Sequence, residues 1–433
     1  MQTPAHPQPA RRVVVTGMGT VNSLGSSVPE FWRRSLEGHS GVRTVTEFPI
    51  PATMSQIAGV ADSWDEGPSL AESLSDSRGP DRSARFASSA AREALADAGL
   101  DREALAALDP SKCGVYVASA IGHISRMEAQ FVQLTGSGQH PVGIQETAQA
   151  GNAFLFNSAS AHIAREAGLR SRHGLIATGC TGGVDAIGWA LKAIRHDGLD
   201  LVITGAAEAP ITPLVVASFN QINATSQRNS APQQASRPFD ADRDGFVLAE
   251  GCGILILESL ESALRRGARI YAEICGFDST NNRYHMTSMP EDGTPIARAS
   301  AGALADARLA ASDVDFINAH GSGTPLNDIA EANAFRQIFG ERASRIPVTS
   351  NKSQTGHSLA AANSIEAISS VLSIRDQVIP PTINLARQDP ACALDVVGNT
   401  ARPAQVSCVL KSSSGFSGIH SSLIIRKYQE AAA

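Results

Sequence analysis

The sequence predicts an α/β protein whose parallel or mixed sheets carry helices on both faces. Ten short β-like runs are spread along the chain, and Ala-rich helical stretches fall between many of them. Hydrophobic residues make up 42% of the 433 positions, ample for a core. The strands are expected at 12–17, 113–119, 174–178, 200–205, 253–258, 269–276, 313–318, 346–350, 405–410 and 421–426.

Helices are expected at 84–98, 182–194, 295–307 and 359–375. In the second of these Val184, Ile187, Leu191 and Ile194 recur at helical spacing. Polar, Gly/Pro-bearing stretches at 66–82, 221–238 and 281–295 read as connections, and long loops of this kind are enriched in binding roles.

Composition removes several function classes. No apolar run reaches the length of a membrane span, and residues 1–10 hold no long apolar segment, so neither a signal peptide nor a transmembrane helix is expected. The expected location is the cytoplasm. Six cysteines without a CxxC pair fit a reducing compartment. A net charge of −6 argues against a nucleic-acid binder. Arginine greatly outnumbers the five lysines, a bias that points to a GC-rich bacterial genome.

Cys180 stands in Thr-Gly-Cys-Thr-Gly-Gly, residues 178–183, at the junction of an expected strand and an expected helix. Unpaired N–H groups and the positive end of the helix dipole favour a thiolate there, and Gly179, Gly182 and Gly183 leave room for a substrate. The alternative is a cysteine buried as a small apolar residue. Two histidine motifs weigh against it: Asn-Ala-His-Gly-Ser-Gly-Thr at 318–324 and Lys-Ser-Gln-Thr-Gly-His-Ser at 352–358. Each follows a β-like run, so His320 and His357 fall on loops at strand carboxyl ends, where open α/β sheets place their chemistry. No His or Cys pair has zinc-site spacing.

The order Cys180, His320, Lys352, His357 now carries a family resemblance, together with residues 235–251 (ASRPFDADRDGFVLAEG) and 415–422 (GFSGIHSS). From about Arg12 to Lys427 the chain resembles a β-ketoacyl-acyl-carrier-protein synthase of the condensing-enzyme family. The resemblance implies the thiolase fold, two pseudo-symmetric α/β halves in a layered αβαβα core. It places a disordered tail at 1–11, a half with the nucleophile at 12–259 and a half with both histidines at 260–433.

It also implies the chemistry, a decarboxylative Claisen condensation of an acyl-Cys180 thioester with malonyl-acyl-carrier protein. His320 and His357 would hold the developing enolate oxygen as neutral Nε2–H donors, each with its other nitrogen fixed by a neighbour. The backbone N–H groups of Cys180 and Ser414 would form the oxyanion hole. Lys352 would organise the site electrostatically, with Glu366 as its counter-charge. Ser322 and Thr324 resemble phosphopantetheine-binding hydroxyls, although turn formation alone would also explain them. Arg82 and Arg85 match the region that docks the acyl carrier protein. No metal and no cofactor of its own is implied; the 4'-phosphopantetheine arrives on the carrier.

Among condensing enzymes the nearest resemblance is to ketosynthase alpha subunits of type II polyketide synthases. Gly179, the stretch 206–219 and Ser414, which stands where fatty-acid enzymes place a gating Phe, favour that branch. The length of 121–170 fits the elongating fatty-acid enzymes better, and Ser417 replaces an expected third glycine. The first reading implies a heterodimer with a chain-length factor and the second a homodimer. A non-catalytic chain-length factor would lack the nucleophile that this chain keeps.

Overall fold

The computed structural model describes residues 11–76, 79–140, 155–170 and 172–430. The tail expected at 1–11 lies outside them except for Arg11, as does part of the stretch 121–170.

All ten expected strands form. They are β1 (Val13–Asn22), β2 (Cys113–Ala118), β3 (Arg172–Ile176), β4 (Leu201–Glu208) and β5 (Gly251–Ser259). The second five are β6 (Ala272–Asn281), β7 (Phe316–Asn318), β8 (Pro347–Thr349), β9 (Cys408–Ser414) and β10 (Ile419–Arg426). Two shift from expectation for local reasons. Residues 311–313 form a 3-10 turn that shortens β7. Strand β9 starts late because the Val406 amide donates to the Gln377 side chain at 3.1 Å instead of to a neighbouring strand.

The strand order is the same in both halves: third, second, fourth, fifth, first, as β3-β2-β4-β5-β1 and β8-β7-β9-β10-β6. In each half the third, second and fourth strands run parallel and the last two pairings are antiparallel. The halves meet where β1 pairs with β6, Val14 opposite Glu273 and Val15 opposite Ala272. One sheet therefore runs through the whole molecule.

Helices fill equivalent places as well. The first half carries α1 (Arg82–Asp97), α2 (Ser158–Glu166) and α3 (Gly182–His196); the second carries α4 (Thr294–Ala307), α5 (Pro325–Phe339) and α6 (Leu359–Asp376). Helices α1 and α2 cover the outer face of the first half, and α4 and α5 that of the second. The other two, α3 and α6, pack on each other between the halves, which completes five layers.

Three apolar interfaces separate those layers. The central one joins Ile187 and Leu191 of α3 to Ile368 and Val371 of α6 and to Leu255 and Leu423 of the strands. The outer ones gather Phe86 with Ile254 on one side and Phe335 with Ile317 on the other. Helix α6 is buried from Leu359 to Ile374, and its small residues on every side allow that. The connection expected at 66–82 contains a short helix, Leu70–Ser75, closed by a Ser69–Glu72 capping box. Among the described residues no helix is long and apolar enough to cross a membrane.

Candidate active site

Cys180 lies in a 3-10 turn, Gly179–Thr181, that leads directly into α3. The turn depends on Gly179, whose φ of +61° a side chain would resist. The Cys180 carbonyl accepts a hydrogen bond from Asn363 of α6, which ties the nucleophile loop to the other half. Burial pushes the Cys180 thiol up to about 11, against the opposing pull of Lys352 and of the Phe416 and Cys180 amides. Burial thus works against the expected thiolate.

Both histidines reach the same cavity as Cys180. It measures about 250 Å³ and is lined on its apolar side by Phe219, Phe246, Met289 and Leu359. His320 follows β7 directly, and its amide donates to Glu331 of α5 at 2.8 Å. His357 is clamped by the segment 235–251: its amide donates to the Val247 carbonyl at 2.7 Å, and its carbonyl accepts from the Ala249 amide at 3.0 Å. Phe246 stacks edge-on against its ring at 5.2 Å.

Burial together with the positive charge of Lys352 holds both imidazoles well below their ordinary range, so both are neutral. Their Nδ1 atoms are buried without a hydrogen-bond partner among the described residues. The expected neighbours that would fix those nitrogens are therefore absent there. Orientation comes instead from the backbone clamp and from packing.

Lys352, fully buried, donates from Nζ to Glu366 Oε1 at 2.6 Å and to the His320 carbonyl at 2.7 Å. The anticipated counter-charge is in place, and the lysine also braces the loop that carries His320.

Ser414 and the backbone donors differ from expectation. The amides that reach the Cys180 sulfur are those of Cys180 and Phe416, two residues beyond Ser414. Ser414 is buried in β9 with its hydroxyl 3.0 Å from His420 Nδ1. Phe416 also lines the cavity, its ring 6.5 Å from that of Phe219. The second backbone donor expected at Ser414 is corrected to Phe416; for the gate, both residues line the cavity, and Phe416 is the one of the two that brings a ring to it. Ser417, where a third glycine was expected, adopts φ +67°, so the loop keeps the left-handed turn without the glycine.

Ser322 and Thr324 line the cavity, their hydroxyls 3.0 Å apart. Two of the three connections singled out from the sequence also contribute, Ile222 to Ala224 from one and Thr287 to Met289 from another. The arginines separate. Arg82 is buried and binds Glu250 through two nitrogens, at 2.7 and 2.9 Å, so it offers no docking surface and that expectation is corrected. Arg85 is partly exposed and pairs with Asp76 at 2.9 Å.

Three groups at the site were not foreseen. Glu331 accepts from the amides of His320 and Gly321 and from the Ser412 hydroxyl. Asn363 holds the Cys180 carbonyl. Lys411 lies against Glu366 Oε2 at 2.8 Å; a lysine directly after the apolar run Cys408-Val409-Leu410, in a chain with five, was the available signal. Among the described residues no group of three or more His, Cys, Asp or Glu is placed to hold a metal ion.

The family models "Beta-ketoacyl synthase, N-terminal domain" and "Beta-ketoacyl synthase, C-terminal domain" match residues 10–263 and 271–386. The chain is 42% identical to the granaticin polyketide putative beta-ketoacyl synthase 1 of Streptomyces violaceoruber, over 98% of this chain and 100% of that protein. One similar solved structure is a type II PKS acyl-carrier protein in complex with its ketosynthase bound to the hexaketide, with TM-score 0.90 and 40% identity over 97% of this chain and 100% of that one. Another is the ishigamide ketosynthase/chain length factor, with TM-score 0.86 and 33% identity over 97% and 100%.

Proposed function

The chain belongs to the β-ketoacyl synthase family, and from that premise we propose that Cys180, His320 and His357 extend a polyketide chain by decarboxylative condensation on a carrier protein. The observation that carries the reading is a single cavity lined by the cysteine and both neutral histidines.

Cys180 Sγ attacks the thioester of an acyl-carrier protein. The acyl group becomes a Cys180 thioester, and the thiol proton passes to the departing carrier thiol. In the second step the bond from the malonyl carbon to its carboxylate breaks, CO₂ leaves, and the electron pair moves into an enolate. His320 and His357 donate hydrogen bonds to that oxygen. The enolate carbon then bonds to the acyl carbonyl, and the tetrahedral oxyanion is held by the amides of Cys180 and Phe416 until it collapses and expels Sγ as a thiolate, which takes up a proton from water.

Lys352 and Glu366 fix the His320 loop rather than touching substrate. Ser322 and Thr324, in the cavity lining, are suited to the phosphopantetheine arm that the partner carries. Arg85 is the arginine of the original pair that an acidic carrier can reach. We assign residues 12–259 and 260–433 to the two halves, a division supported by their shared strand order. A chain-length factor is the dimer partner on this reading, with a homodimer as the alternative.

Supplied with malonyl-carrier protein and a co-expressed partner homologue, the protein should release CO₂ and yield β-ketoacyl-carrier protein. Product made by the chain alone would favour the homodimer. No condensation under either condition would refute the proposal.

A further inference from the structure

Lys411 is wholly buried in the middle of β9. Its Nζ forms an ion pair with Glu366 Oε2 at 2.8 Å, off the line of a hydrogen bond, and donates to the Ser412 carbonyl at 2.5 Å. The Ala319 carbonyl stands 3.5 Å away. Glu366 therefore carries an ammonium on each oxygen, Lys352 on one and Lys411 on the other. Two cations on one carboxylate are costly in a buried place, which calls for a role beyond stability.

The other charged and titratable groups that act on Lys411 are few. Glu331 of α5 lies nearby and is already committed to the His320 loop, and the imidazoles of His320 and His357 feel the Lys411 charge from the cavity side. We propose that Lys411 is a positioning residue for malonyl decarboxylation, gripping the second oxygen of Glu366 so that Lys352 stays against the His320 carbonyl while its own positive charge stays beside both imidazoles. That charge opposes protonation of the imidazoles and favours negative charge growing on the enolate oxygen they bind. The inference rests on the ketosynthase reading.

A titration signature follows. Burial lowers the Lys411 ammonium to about 8. Above that pH the Lys411 charge disappears, so wild-type decarboxylation should fall on an alkaline limb.

The test compares Lys411→Met with wild type in two assays, CO₂ release from malonyl-carrier protein and acylation of Cys180 by a short N-acetylcysteamine thioester. Met should lower CO₂ release about tenfold or more, leave acylation within about threefold, and abolish the alkaline limb. Added methylammonium should restore part of the lost rate. A folded Met variant with wild-type CO₂ release and the same pH profile overturns the inference alone. Should Met fail to fold, the wild-type profile decides, and no fall in CO₂ release above about pH 8 overturns it. A wild type that releases no CO₂ overturns the ketosynthase reading with it.

Discussion

The rings of His320 and His357 stand 5.2 Å apart, centroid to centroid, and cross at 84°. At that angle they pack edge to face instead of hydrogen-bonding to each other. Each keeps a nitrogen for a third party. Because both are neutral, two N–H donors can converge on one oxygen without two cations repelling across the cavity.

Removal of either imbalances that pair in a selective way. His320→Ala or His357→Ala should lower malonyl decarboxylation by roughly 10²–10³, the usual cost of one lost oxyanion donor. Acylation of Cys180 should fall much less. Parallel CO₂ and acyl-loading assays check this, and a variant with normal decarboxylation would be excluded from the role.

Cys180→Ala should abolish acyl transfer with little change in the unfolding transition. Mass spectrometry of wild type after incubation with acyl-carrier protein should find the adduct on Cys180. The other five thiols are poor competitors, since all are buried and none lines the cavity. An adduct on one of them, with the Ala variant still condensing, would refute the assignment.

Phe416 and Ser414 now carry opposite expectations. Phe416→Ala should broaden the range of acyl chains accepted, because an aromatic leaves the cavity wall. Ser414→Phe should instead cost about 1–3 kcal/mol of stability, since the larger ring must displace His420 from a packed strand. Chain-length profiles and thermal unfolding separate the two; a stable Ser414→Phe enzyme with a narrowed profile would restore the gate to Ser414.

Arg82→Met should destabilise the fold by about 3–5 kcal/mol, because it strands the buried Glu250 carboxylate. Carrier affinity of whatever remains folded should be unchanged. Denaturant unfolding and carrier titration measure these separately, and weakened docking without lost stability would contradict the structure.

Burial raises the Glu208 carboxyl to about 8, from an ordinary value of 4.5. The folded state holds the proton more tightly than the unfolded one, so this group's contribution is fully present below about pH 4.5 and is lost as pH rises to about 8. Glu208→Gln should remove that dependence and be the more stable protein above pH 8, by a few kcal/mol at most. Denaturant midpoints at several pH values test it; parallel curves for the two proteins would count against it.

Much of the fold was legible because each strand is an apolar run set off by glycine or polar residues, and because Cys180, His320 and His357 sit where strands end. What escaped notice depends on distance along the chain. Arg82 reads as a surface arginine until Glu250, 168 residues later, is brought onto it. Lys411 finds Glu366 only through the packing of α6 on β9. The Phe416 donor is a backbone amide, which no side-chain identity announces. The helix Leu70–Ser75 is too short and too polar to display a period.

The repeated strand order has one more implication. The turn that holds Cys180 and the turn that holds Lys352 and His357 are the same address in the plan, each leading from the third strand of its half into the central helix. One address was furnished with a thiol and the other with a buried lysine and a neutral imidazole, and their helices abut between the sheets. The division of labour is therefore mutual: separate polypeptides ending and beginning at Ser259 and Leu260 would each be chemically mute, and their reunion could be followed by the return of turnover as a complementation signal.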